Sequence, residues 1–153
     1  MIKVLFVCHG NICRSPIAEF IMKDKIKKLN LEKQFYIDSC GVSNEEAGNQ
    51  IYPKAFDVLK KHNILNASHT ARQISKSDYE YFDYIFMMDK SNIRNFNRMF
   101  GTDYKNKVYL IAEFLEEIEY IEDPWYTDNF ELVFNQLEVA IENVLKKKFR
   151  IGE

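Results

Sequence analysis

Residues 2–19, IKVLFVCHGNICRSPIAE, set a nearly unbroken apolar run directly before a cysteine, five loop-like residues, an arginine and Ser-Pro. A strand exposed on one face alternates apolar and polar side chains, so Ile2 to Val7 is predicted to be a strand covered on both faces. The period then changes. In SPIAEFIMKDKIKKLNL, residues 15–31, Ala18, Ile21, Met22, Ile26 and Leu29 recur at the spacing of one helix face, with Ser15 as the expected N-cap and Pro16 at the first helical position.

Working outward, QFYIDS (34–39) is the next extended run, followed by the loop GVSNEEAGNQIY (41–52) and a helix from Pro53 that turns Ala55, Phe56, Val58 and Leu59 inward and ends near His62-Asn63. FDYIFMMD (82–89) is predicted as a buried strand, SNIRNFNRMFG (91–101) as a short helix stopped by Gly101, and KVYLI (107–111) as the last strand. Phe130, Val133, Phe134, Leu137, Ile141, Val144 and Leu145 mark a closing amphipathic helix between about Asp128 and Phe149. Strands alternating with helices imply right-handed crossovers and an α/β fold, a parallel sheet with helices on both faces in three layers. No linker, repeat or low-complexity stretch divides the chain, so one domain over residues 1–153 is expected. Ligands of such sheets lie outside the carboxyl ends of the strands, at the point where strand order reverses. The segment Cys8 to Arg14 leaves the first strand at that end.

An apolar content of 46% and a formal net charge of −2 suit an ordinary globular protein and argue against a nucleic-acid partner. MIKVLFV is too short for a secretory signal and no apolar run approaches the roughly 20 residues of a membrane span, so a cytoplasmic location without membrane attachment is expected. Cys8, Cys13 and Cys40 are an odd number without a C-x-x-C pair, which speaks against a disulfide framework or a zinc site. Cysteine chemistry here should involve one particular thiol.

If residues 8–14 wrap into a compact loop ahead of a helix N-terminus, the inward backbone N–H groups of His9, Gly10, Asn11, Ile12, Cys13 and Arg14 form a nest for a tetrahedral dianion, aided by the helix dipole. Arg14 adds a planar fork able to hold two phosphate oxygens. Cys8 then lies at the bottom, in a field that favours thiolate over thiol, and becomes a nucleophile toward phosphorus. Gly10 permits close backbone approach, while Asn11 and Ser15 can tie the loop's own groups together. The competing description is a small buried residue at a strand end beside a surface arginine. A carboxylic acid is still needed to protonate the leaving oxygen. IEDPWYTD (121–128) offers Asp123 before a proline, extended and exposed, although Asp-Pro alone is also an ordinary turn signal.

Together VCHGNICRSPIAE and EDPWY resemble the low-molecular-weight protein tyrosine phosphatases, and YIDSCGVS, HTARQI and FDYIFMMD are similar to that family's segments in the family's order. The resemblance spans nearly the whole chain. It implies a four-stranded, flavodoxin-like parallel sheet in order 2-1-3-4, with Cys8 as nucleophile, Arg14 as the phosphate-binding and transition-state-stabilising arginine, and Asp123 as general acid and then base. It also implies that Asn11, Ser15, Ser39 and His69 support the loop, that no metal or cofactor is needed, and that tyrosine-phosphorylated proteins are the substrates of a monomer or weak dimer. Cys13 matches the family's redox partner of the nucleophile, while from the residues alone it is equally an apolar loop anchor. Mass spectrometry after peroxide treatment separates the two, as a crosslink between Cys8 and Cys13 or as direct sulfinic acid at Cys8.

The sequence departs from the family at the pocket wall, where His9 and Glu45 replace residues that are commonly aliphatic and aromatic, whereas Trp125 and Tyr126 keep an aromatic pair. A negative Glu45 is expected to favour basic over acidic residues beside the phosphotyrosine, by a small margin because solvent screens it. Two other functions compete. An arsenate reductase on the same fold needs further cysteines to carry electrons, and none follows Cys40. A phosphotyrosine-binding module without catalysis would not need Cys8, Arg14 and Asp123 together.

Overall fold

The protein is represented by a computed structural model that describes residues 1–151. Four strands, β1 (Ile2–Cys8), β2 (Phe35–Gly41), β3 (Tyr84–Met87) and β4 (Val108–Leu110), pair in parallel in the order β2-β1-β3-β4. Among the described residues six α-helices connect and cover them: α1 (Arg14–Lys28), α2 (Pro53–Lys61), α3 (Lys76–Tyr81), α4 (Lys90–Phe100), α5 (Pro124–Thr127) and α6 (Phe130–Asn143). The chain leaves β1 for β2 on one side and later reaches β3 on the other side of β1. Strand order therefore reverses beside the carboxyl end of β1, between the exits of β1 and β3.

The sheet divides the apolar interior in two. Val4, Phe6 and Cys8 face a core shared with α1, α2 and α6, while Leu5 and Val7 face a second core built with Tyr79 of α3 and Phe96 of α4. Val4 to Val7 are all fully buried, which is why β1 lacks alternation in sequence. The helix N-terminus differs from expectation. Helix α1 begins at Arg14 after Cys13, with no side-chain cap, because the Ser15 hydroxyl is turned toward Cys8 and is not available as an N-cap. Leu29 is the residue after the helix and is 44% exposed, so it does not join the buried stripe of Ala18, Ile21, Met22 and Ile26.

Two short helices lie outside the sequence expectations. Helix α3 is opened by a capping box between Ser75 and Asp78, and α5 is a single turn begun by Asp123. Strand β3 is also shorter than the apolar run that announces it: Phe82 ends α3, and Met88 and Asp89 lead into α4. The closing helix is regular only to Asn143, and a π turn over Val144–Lys148 continues it. Among the described residues no helix is long and apolar enough to cross a membrane.

Candidate active site

Between β1 and α1 the chain turns through Asn11, whose φ of 61° is left-handed, a conformation that asparagine tolerates better than most residues. The Asn11 amide N–H points back at Cys8 Sγ at 3.3 Å, and Ser15 Oγ lies 3.0 Å from the same sulfur. Asn11 is completely buried, so each of its polar groups needs a partner. Its side-chain amide donates to Ser15 Oγ at 2.8 Å and to Ser39 Oγ at 3.0 Å, its side-chain oxygen accepts from the Arg72 amide at 3.0 Å, and its backbone carbonyl accepts from His69 Nε2 at 2.7 Å. The four residues expected to support the loop thus meet in one network. With Asn11 donating to it, the Ser15 hydroxyl has its own proton for Cys8 Sγ or for the Cys40 carbonyl 3.3 Å away.

Sequence reasoning missed the group on which this network rests. Ser39 Oγ donates to Glu19 Oε1 at 2.6 Å, and Glu19, only 4% exposed, is balanced by Lys23 at 2.5 Å with His69 Nδ1 at 3.9 Å. A carboxylate inside the otherwise apolar run PIAEFI was the available signal, because a buried charge requires partners.

Arg14 is only 2% exposed and held rigidly: its Nη1 donates to Asp89 Oδ2 and to the Ile121 carbonyl, both at 2.8 Å, while Nη2 stands 3.7 Å from Asp123 Oδ2. Burial opposes its charge, but Cys8, Asp89 and Asp123 outweigh that and favour the guanidinium further. Asp89 was also missed. It leaves β3 as the N-cap of α4 in a reciprocal box with Asn92, and the pattern D-x-x-N was its sequence signal. Asp123 is the N-cap of α5, accepting from the Trp125 amide at 3.0 Å.

These groups surround a cavity of about 180 Å³ between β1, α5 and the loop after β2. Cys8, Ile12, Cys13 and Arg14 line it, with His9, Glu45, Trp125 and Tyr126 at its edge and Glu46, not anticipated, packed against Gly10. Tyr126 is 84% exposed, so the aromatic pair forms an open rim. His9 Nε2 approaches Glu45 Oε2 at 3.8 Å. Cys8, Cys13 and Cys40 are free thiols. Burial, followed by the neighbouring Cys8 and Asp123, pushes the Cys13 thiol far up, and burial does the same to Cys40. Among the described residues no group of three His, Cys, Asp or Glu side chains is arranged to hold a metal ion.

A thiol under hydroxyl and amide donors, a fixed guanidinium and a carboxylate facing one small cavity at the switch point of a parallel sheet define an oxyanion-handling site of the Cys-x5-Arg class. The sequence profile of the low molecular weight phosphotyrosine protein phosphatases matches residues 3–150, and the chain belongs to that family. It is 43% identical over 150 residues to the low molecular weight phosphotyrosine protein phosphatase of Schizosaccharomyces pombe, covering 95% of this chain and 96% of the relative. The crystal structure of YfkJ from Bacillus subtilis superposes with a TM-score of 0.91 at 34% identity, covering 100% and 98% of the two chains. A protein tyrosine phosphatase from Entamoeba histolytica, with Hepes in its active site, gives 0.89 at 34% identity and covers 98% of each chain.

Proposed function

We propose that the protein is a phosphotyrosine phosphatase working through a phosphocysteine. The observation that carries this reading is the convergence of Cys8 Sγ, the Arg14 guanidinium and the Asp123 carboxyl on one cavity, with Arg14 Nη2 and Asp123 Oδ2 3.7 Å apart. Cys8 Sγ attacks phosphorus, the bond from phosphorus to the phenolic oxygen breaks, and Asp123 gives its proton to that oxygen. Arg14 and the loop amides of residues 9–14 bear the charge on the equatorial oxygens. Asp123, now a carboxylate, removes a proton from water as the water attacks phosphorus and the sulfur leaves. Ser15 and Asn11 receive the returning thiolate. No step draws on a metal or an organic cofactor.

The same proposal takes tyrosine-phosphorylated proteins as substrates, places one monomeric or weakly dimeric domain over residues 1–153 in the reducing cytoplasm, and keeps Cys13 as a redox partner of Cys8. Arsenate reduction is less well supported, because the only cysteine beyond the loop, Cys40, is fully buried behind Ser15. Hydrolysis of para-nitrophenyl phosphate and of a phosphotyrosine peptide, measured in EDTA, tests the reading. Wild-type turnover should be lost on Cys8→Ser and fall about a hundredfold on Asp123→Asn, in the range of general acid catalysis. A folded, reduced wild type that turns over neither substrate would discard the proposal in favour of a binding role.

A further inference from the structure

The mouth of the active-site cavity does not end at His9. On the other side of that side chain lies a second cavity of about 280 Å³, which His9 lines as well. Its walls come from three separate parts of the fold: Ser43 from the loop after β2, Gln73 from the segment between α2 and α3, and Asn95 and Arg98 from α4. Asn95 and Arg98 stand three residues apart and so share one helix face.

Val42 and Met99 complete the wall, and the polar part of the lining is mostly donors. Arg98 is exposed and, among the described residues, has neither an ion-pair partner within 4.0 Å nor a hydrogen bond from its guanidinium. Ser43 Oγ accepts from the Glu45 amide at 3.0 Å, which leaves its own proton free to donate. Gln73 Nε2 is oriented by the Val42 carbonyl at 3.1 Å, leaving its second N–H for another acceptor. Glu45 and Glu46, from the same loop as Ser43, line the active-site cavity and carry the reverse charge. Charge therefore differs between the two cavities that share His9: Glu45 and Glu46 line the first, and Arg98 of α4 lines the second.

We propose that this second cavity is a substrate subsite for an acidic side chain flanking the phosphotyrosine, with Arg98 supplying its charge and Asn95 and Ser43 its hydrogen bonds. The inference rests on the phosphatase reading. It also qualifies the expectation drawn from Glu45: Glu45 disfavours acidic residues that reach the active-site cavity, while Arg98 selects them in the second cavity.

The test is a set of phosphotyrosine peptides in which Asp or Asn is placed in turn at each flanking position, with kcat/KM measured for wild type, Arg98→Gln and Arg98→Glu. For wild type at low ionic strength one position should show an Asp-to-Asn ratio of about two to five, the range of a solvent-exposed charge pair. Arg98→Gln should bring that ratio to unity, Arg98→Glu should invert it, and added salt should shrink it in the wild type. Equal ratios in the three proteins overturn the subsite. So does a change in melting temperature without a change in ratio, which would leave Arg98 as a cation complementing the C-terminus of α4. Wild-type turnover of para-nitrophenyl phosphate reports separately on the phosphatase reading, since that compound has no flanking residue.

Discussion

Gly41 shows how closely the site depends on single atoms. It ends β2 directly beside the loop, and a Cβ built there would lie 2.6 Å from the His9 carbonyl oxygen and 3.1 Å from the Asn11 nitrogen. Both contacts are backbone, so no flexible side chain can yield. Its amide and carbonyl are also engaged, donating to the Arg72 carbonyl at 2.8 Å and accepting from Ile74 N–H at 2.7 Å, which prevents the strand end from retreating. Gly41→Ala should therefore displace residues 9–11, lower stability by roughly 1–3 kcal/mol as overpacking does, and reduce turnover of para-nitrophenyl phosphate at least tenfold in the molecules that remain folded. Thermal melts beside initial rates separate the two effects. A variant with wild-type rate and melting temperature would show that the loop does not need this close approach.

At the scale of elements, α5 is a single turn and cannot hold itself in place. Its anchor is Tyr52, which precedes α2: the Tyr52 amide donates to the Ile12 carbonyl at 2.9 Å, while its ring packs against Trp125 at 5.3 Å and Phe130 at 5.9 Å between centroids. Lys54 adds a bridge of 2.5 Å to Asp128, whose left-handed φ closes the turn. Tyr52→Ala should loosen Asp123 and slow substrates that need protonation of the leaving oxygen. We expect about a tenfold loss on an alkyl phosphate and a smaller one on para-nitrophenyl phosphate; equal losses on both would place the effect in the loop instead. The long elements were legible because burial on two faces of β1 and on one face of α6 leaves a repeating pattern. Helix α3 has only six residues, of which Asp78 and Tyr79 are buried, and so has no period to detect; Ser75-x-x-Asp78 was its one mark. Cys8 and Arg14 could be singled out because they stand one short loop apart, whereas Asp123 was singled out only through the family resemblance, since Asp-Pro alone is an ordinary turn signal. Glu19 and Asp89 left only a local mark each, a carboxylate in an apolar run and a D-x-x-N pattern, and their roles, like that of Arg72, depend on partners brought near only by the sheet.

For the whole molecule, Arg72 joins the two halves of the structure. Its backbone amide holds Asn11 in the anion loop, while its guanidinium donates to Asp38 of β2 at 3.0 Å and to both oxygens of Asp78 in α3 at 2.9 and 3.0 Å. Burial raises the Asp78 carboxyl, but the hydrogen bonds from Arg72 and Ser75 outweigh it and hold the group below its ordinary value of 3.8. A carboxyl lowered in the folded state stabilises the protein at pH values above the unfolded value, and that contribution disappears as pH falls through the folded one. Asp78→Asn removes the titration but keeps an acceptor for the Ser75 amide. Its deficit should be about 1–2 kcal/mol near neutral pH, as for a part-exposed charge-assisted pair. Below about pH 3.8 the wild type loses the same interaction by protonation and the two proteins should converge. Urea midpoints measured across that range decide the matter. A difference that stays constant into acid would mean that Asp78 acts through the shape of its capping box, and that the charge of Arg72 contributes nothing to joining the anion loop to the second face of the sheet.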